Sequence, residues 1–185
     1  MRKNFGAQTW ICPMPVLILG TYDEKGVPDA MNAAWGGTWD YNKIFVSLSE
    51  HKTTKNLNEK KAFTIAFADS KHVVEADYVG IVSANQVPDK VKKAGLNVEK
   101  STFVDAPIFV DFPLSLECEV ESFEDGNLIG KIINVSADSS VLGSDGKVDV
   151  EKLDLITYDP IHFNYIKLGD IAGKAFSDGK KIKKL

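Results

Sequence analysis

Two stretches of the chain gather side chains able to hold a ligand. The first is "SLSEHKTTKNL" at 47–57, where Ser47, Ser49, His51, Lys52, Thr53 and Thr54 crowd behind the apolar run Ile44-Phe45-Val46. A helix opening near Thr53 or Thr54 would present unpaired backbone N–H groups and the positive end of its dipole. Around that end Ser49, Thr53 and Thr54 could donate hydroxyl protons while His51 and Lys52 add positive charge. Such a set suits a terminal phosphate dianion. The same residues also suit an ordinary turn, because Thr often caps helices and Lys and His in turns are solvated. Neither threonine opens a capping box, since Asn56 and Leu57 stand where Glu or Gln would be needed.

The second stretch is "MNAAWGGTWD" at 31–40. Its small residues Ala33, Ala34, Gly36 and Gly37 would let a flat ring approach the backbone, and Trp35 offers a stacking face. A tryptophan filling a core would satisfy the same composition. Because the two stretches fall on neighbouring expected strands, a ring site and a phosphate site could serve one ligand. Other constellations are not written in the chain. It carries neither a G-x-G-x-x-G nor a P-loop pattern, and no G-x-S-x-G elbow. Its three histidines, His51, His72 and His162, lie far apart without Cys or carboxylate at ligand spacing.

The elements that must position these groups read mostly as strands. "VLILGTYD" (16–23) is a strand-forming run that ends in a turn at Gly26 and Pro28. "AMNAAWGGTW" (30–39) reads as its return strand, "KIFVSLS" (43–49) as a third and "AFTIAFA" (62–68) as a fourth. "PLSLECEVESF" places Leu114, Leu116, Cys118 and Val120 on one face, and Asp125-Gly126 turns it into "LIGKIINVSA". Helices are short: one after Thr53 or Thr54, one over "KHVVEADYVG" and one over "VPDKVKKAG", stopped by Gly95. Segment 137–150 reads as a loop. Many strands with a few helical excursions predict a mainly β, barrel-like domain.

Bulk properties narrow the classes. A chain of 185 residues with 44% hydrophobic residues fits a single domain, taken as 1–185. Its net charge of -4 argues against nucleic-acid binding, and the basic "GKKIKKL" at 179–185 reads as a solvated tail. An oligonucleotide-binding barrel is disfavoured on the same ground. Arg2 and Lys3 before "WICPMPVLILG" imitate a signal sequence, but Pro13 and Pro15 interrupt it. A cytoplasmic protein without membrane association is expected. Cys12 and Cys118, each flanked by apolar residues, are expected as two buried thiols.

Taken together, the motifs resemble the flavin reductase-like, FMN-binding split-barrel family, and within it the flavoredoxin branch. "GAQTWICPMPVLILGTYDEKGVPDAMNAAWGG", "VSLSEHKTTKNL", "ADYVGIVSANQVPDKVKKAGL", "VDAPIFVDFPLSLECEV" and "YIKLGDIAGKAF" carry the resemblance nearly end to end. It implies a six-stranded split β-barrel, a homodimer, and non-covalent FMN near the dimer interface. On this chain Asn32, Ala33, Ala34 and Trp35 would border the isoalloxazine, and Ser47 and Ser49 would line the ribityl chain and phosphate. Lys52 and Thr54 stand at the family's R-x-T, with His51 and Thr53 beside them, and Ser83 and Lys90 are further candidates. Asp29, Ala84 and Val91 depart from the pattern, as does Lys52, whose ammonium lacks the guanidinium fork. The implied function is an FMN-dependent NAD(P)H oxidoreductase with transient NAD(P)H and a small-molecule or redox-protein acceptor. The alternatives are a flavoredoxin-type electron carrier or a non-catalytic flavin-binding barrel acting as store or sensor.

Overall fold

The computed structural model describes residues 1–182. Along the chain run β1 (Met14–Pro15), β2 (Leu17–Tyr22), β3 (Pro28–Ala33), β4 (Gly36–Asp40), β5 (Lys43–Ser47), α1 (Lys52–Lys60) and β6 (Ala62–Phe67). Then follow α2 (Val73–Ile81), α3 (Lys90–Lys93), β7 (Val98–Lys100), β8 (Pro107–Phe109), β9 (Leu114–Glu124), β10 (Asn127–Ala137), β11 (Ile156–Asp159) and β12 (Asn164–Lys167).

Seven strands form one antiparallel sheet in the order β3-β2-β6-β9-β10-β5-β4. Its two edge strands, β3 and β4, are consecutive in the chain and separated only by Ala34 and Trp35. The sheet therefore curls until its edges approach. The expected return strand over 30–39 breaks at that corner, and counted as one bent strand it restores six around the barrel. The small sheets β1-β11-β12 and β7-β8 lie outside this one.

The run "VLILG" lacks strict alternation because both faces of β2 are covered. Leu17 and Leu19 join Phe63, Ile65, Cys118 and Leu128 in one cluster, whereas Val16 and Ile18 join Ala76, Val79 and Phe109 under α2. Phe63 and Phe109 are fully buried, a gain of roughly 1.5–3 kcal/mol for each such side chain. The strand "LSLECEVESF" is likewise covered on both faces. Ser115 and Glu117 are as buried as Cys118, and Glu117 accepts hydrogen bonds from Ser101 Oγ and from Asn134 Nδ2.

Helix α3 is shorter than its sequence pattern, ending before Gly95 at φ +78. The loop at 137–150 holds a 3-10 turn at Ser139–Val141 and a bridge from Leu142 to Val148. Residues 180–182 of the basic tail are exposed, and 183–185 lie outside the described residues. Among the described residues no helix is long and apolar enough to cross a membrane.

The two cysteines part company. Cys118 is buried, and desolvation, with the Glu117 charge second, pushes its thiol up to about 12. Cys12 is exposed, because the segment before β1 runs over the surface instead of entering the core. A disulfide-exchange reagent at pH 8 should therefore titrate one thiol in the native protein and both in denaturant; two fast native thiols would refute the burial of Cys118.

Candidate functional site

The strand-to-helix junction at Ser47–Lys52 is held from two sides. Ser47 N–H donates to Trp35 O at 2.8 Å, tying the end of β5 to the corner between β3 and β4. Leu48 N–H donates to Gly126 O at 2.7 Å, tying the next residue to the tip of the β9–β10 hairpin. Asp125 and Gly126 hold that tip at φ 50 and 77. A Cβ on Gly126 would fall 2.5 Å from Leu48 O, so glycine is needed there for space as well as for torsion. The Asp-Gly turn is legible in the sequence. Its grip on a segment far away in the chain is not.

Helix α1 begins at Lys52 with His51 as N-cap, a residue or two earlier than expected. Thr54 thereby falls at the third helical position and makes the reciprocal arm of a capping box. Its Oγ1 accepts from His51 N–H at 2.9 Å and donates to His51 O at 2.8 Å.

The charge at this end has the wrong sign for helix stability. His51, Lys52 and Lys55 crowd the positive pole of the dipole, and the first turn holds no acidic residue. Lys55 reaches Glu59 at 3.4 Å and Glu24 at 3.9 Å. Lys52 Nζ lies 3.7 Å from Asp23 Oδ2. Burial opposes ionisation of Asp23, but the N–H groups of Val27 and Lys25, with the Lys52 charge, outweigh it and hold its carboxyl below the usual range. A carboxyl lowered in this way keeps its contribution at neutral pH and loses it only as pH falls through the lowered value.

The sequence candidates fall into separate environments. Ala34, Trp35 and Ser47 line an apolar cavity of about 520 Å³, together with Trp39, Ile11 and Pro13. Trp35 is 56% exposed, so it does not fill the core. Ser49, His51 and Thr54 line a polar cavity of about 580 Å³ on the other side of the junction, with Phe123 and Gly126. The segment Ser47-Leu48-Ser49 passes directly from one cavity to the other. Gly36 is packed against Leu17 and Phe45, whereas Gly37 faces open space. Ala33 is buried in the inner core. Asn32 turns its amide the opposite way, onto α2.

Thr53, Lys90 and Ser83 are engaged elsewhere. Thr53 is fully buried and donates to Asp29 Oδ2 at 2.7 Å. Lys90, 3% exposed, donates to the carbonyls of Val79 at 3.3 Å and Val82 at 3.0 Å, closing the end of α2. Its Nζ also stands 3.1 Å from Asp29 Oδ1, off the hydrogen-bonding direction, so that contact is charge on charge. Asn56 completes the buried group by donating to Thr21 Oγ1 at 3.0 Å, and Thr21 faces Asp29 across β2–β3. Ser83 closes the turn after α2, its carbonyl accepting from Gln86 and Val87. The clue to this network is a lone acid, Asp29, inside the strand "PDAMNA".

The curled sheet, with a hydroxyl- and cation-rich junction between its two cavities, defines a split β-barrel protein. The chain belongs to the flavin reductase-like domain family, whose model matches residues 10–161. It is similar to the flavoredoxin of Desulfovibrio vulgaris (Miyazaki F), at 36% identity over 97% of this chain and 100% of that one, with a TM-score of 0.92. It is also similar to the flavoredoxin from Methanosarcina acetivorans, at 27% identity over 99% and 100%, with a TM-score of 0.88. Nitrilotriacetate monooxygenase component B from Bacillus cereus shares the fold at 22% identity over 89% and 88%, with a TM-score of 0.75. An uncharacterized protein of Aeropyrum pernix is 27% identical over 110 residues, 58% of this chain. The match spans 41% of the length of that curated relative.

Removing the Lys90 cation leaves the Asp29 carboxylate buried and uncompensated. Lys90→Met should cost about 3–5 kcal/mol of stability in urea denaturation, the range for breaking one side of a buried pair. An unchanged denaturation midpoint would show that the pair does not support the fold.

Proposed function

We propose that the protein is an FMN-binding flavoprotein of the flavoredoxin type, passing electrons between redox partners. The observation that carries this reading is the wrong-signed charge at the start of α1. A helix that gathers His51, Lys52 and Lys55 at its positive end, with no acid in its first turn and only Glu50 just ahead of it, has an electrostatic deficit that a phosphate dianion would relieve. Near-full-length similarity to two flavoredoxins gives the anion its most economical identity.

The residues present fit that cofactor. Ser49 and the exposed His51 line the polar cavity beside Glu50 and Asp125, and Lys52, next to His51, has only the 3.7 Å contact with Asp23 to give up in turning to a phosphate. Thr54 contributes by fixing the N-cap backbone. The ammonium of Lys52 binds as a point charge instead of a fork, and the His51 ring offers a further N–H donor beside it. On the far side of the junction Ala34, Trp35 and Trp39 give a flat ring an apolar wall that excludes water. Bound FMN supplies the redox chemistry, which leaves the chain without need of an acid–base residue of its own.

Direct NAD(P)H oxidation is the second reading, favoured by the family's likeness to flavin reductases. A redox-inert flavin store is the third. We also infer a homodimer, because Trp35 and Trp39 expose 56% and 59% of their surface beside Ile11 and Pro13. Patches of this kind usually mark association.

Titration of the purified protein with FMN should give saturable binding. Lys52→Gln should weaken it about tenfold while moving stability by no more than about 0.5 kcal/mol, since it relieves the helix end as it removes the anion's partner. No binding by the wild-type protein, or equal loss of binding and stability in the variant, would sink the proposal. A chemical reductant should bleach the bound flavin, whereas NADH and NADPH should bleach it slowly or not at all; fast bleaching by either would restore the oxidoreductase reading. Sedimentation should give twice the 20.3 kDa chain mass, and a species of that single mass would remove the dimer.

A further inference from the structure

Beyond β12 the chain folds into a hook that stands clear of the barrel. Asp178 Oδ2 accepts the Lys174 N–H at 2.9 Å, and the N–H groups of Ser177 and Asp178 return to Lys174 O at 3.3 and 3.1 Å. A Cβ on Gly173 would fall 2.8 Å from the same carboxylate oxygen, so a glycine lets the turn close. At its tip Phe176 adopts φ 58, in the left-handed region, and is 100% exposed. That conformation is unfavourable for a bulky residue, and here it aims an aromatic ring at solvent. Lys174 and Lys180, neither of them paired with an acid among the described residues, flank the ring. From 161 to 182 every residue except Tyr165, Ser177 and Asp178 is exposed.

A cavity of about 900 Å³ opens between the loop at 143–155 and the segment 167–171 that leads to the hook. Val150, Leu168 and Ile171 stand exposed in its wall. Lys147 lies 3.8 Å from Asp145, and Lys167 holds Asp154. Asp149, Glu151 and Asp170, in the same wall, have no salt-bridge partner among the described residues. The cavity thus joins apolar surface to unanswered negative charge, and the hook joins an apolar ring to unanswered positive charge. Each complements the other.

Within one chain they do not meet. The hook begins three Cα steps after Ile171, about 11 Å at most, which leaves little slack for doubling back into the cavity at its own root. Because that root is part of the cavity wall, a hook seated on a second copy brings the second hook to the first cavity. The exchange is reciprocal and closes after two chains.

We propose that each chain seats Phe176 and its flanking lysines in the acid-lined cavity of a second copy. The inference rests on the homodimer read above from Trp35 and Trp39, and it names the segment that locks that dimer. The small sheet β1-β11-β12 connects the two surfaces. Pro13, in the wall of the apolar cavity, leads into β1, while Leu155 and Leu168 lie at the opposite end of β11 and β12.

The test is sedimentation equilibrium of the full chain, with circular dichroism to confirm folding. Phe176→Asn removes the ring but keeps a residue that tolerates the left-handed turn. It should raise the dimer dissociation constant about tenfold to a hundredfold, the value of burying such a ring. A hook variant (Lys174→Glu with Lys180→Glu) and a cavity variant (Glu151→Lys with Asp170→Lys) should each raise it about tenfold by facing like charges. An equimolar mixture of these two should dimerise nearly as well as wild type, because both seats of the mixed dimer again pair opposite charges. Variants that dimerise like wild type overturn the exchange and leave the homodimer standing. So does rescue that appears only when one chain carries all four charge changes, since the hook would then fold onto its own cavity. A monomeric wild-type protein overturns both.

Discussion

The structure turns on the two-residue link between β3 and β4. Flat, the seven strands of the main sheet, at about 4.8 Å apart, would hold their edges roughly 29 Å from each other. Three Cα steps from Ala33 to Gly36 reach about 11 Å at most. The sheet has no option but to curl, and the curl creates both an enclosed core and a corner with no room for regular pairing. Ala34 and Trp35 occupy that corner. Gly36 takes the inward-facing position, where a Cβ would meet Leu17, Phe45 and Val46, and the alternation of an extended chain then turns Trp35 outward. Its exposure is thus a consequence of closure.

Closure also explains why the junction after β5 is rigid. Ser47 and Leu48 are bonded to two parts of the chain that meet only once the barrel forms, the corner and the hairpin tip. The start of α1 is placed relative to the corner by these bonds and not by helix propensity. Beneath it, Thr53 and Asn56 face inward and anchor the helix to Asp29 and Thr21. The hydroxyls of "HKTTKN" thus divide by helical phase. One face holds the helix to the barrel, and the other keeps Lys52, His51 and Ser49 toward solvent. Positive charge accumulates on a helix end that cannot tilt to shed it.

Sequence alone resolves this arrangement unevenly. Strands β2, β5, β6, β9 and β10 are legible because their apolar runs are bounded by Gly, Pro and Asp-Gly signals, which act locally. The split at Ala34–Trp35 is hidden, since small residues and aromatics suit a strand as well as a corner. The start of α1 is misplaced because its capping box uses Thr54 and a histidine in place of Glu and Ser. Thr53 and Lys90 look like ligand residues by type. Only the fold reveals that each is bound to Asp29, a partner at least 24 positions away. Cys12 reads as buried from apolar neighbours that are themselves exposed, Ile11 among them at 69%.

Asp29 in place of the Asn expected from the resemblance has a physical counterpart in Lys90. A carboxylate 2% exposed would be costly alone, and the lysine 3.1 Å away neutralises it while satisfying two carbonyls at the end of α2. The pair joins α1, β3 and the segment after α2 into one unit, so the polar cavity and the α2 face of Asn32 share a support. A ligand spanning the junction would therefore meet groups whose relative positions are fixed before it arrives. Such preorganisation suits electron transfer, where geometry must change little between oxidised and reduced states. The exposed groups at the junction, Ser49, His51 and Lys55 beside Glu50 and Asp125, form no hydrogen-bonded nucleophile–base pair among the described residues. An arrangement of that kind would leave the chemistry to a bound cofactor.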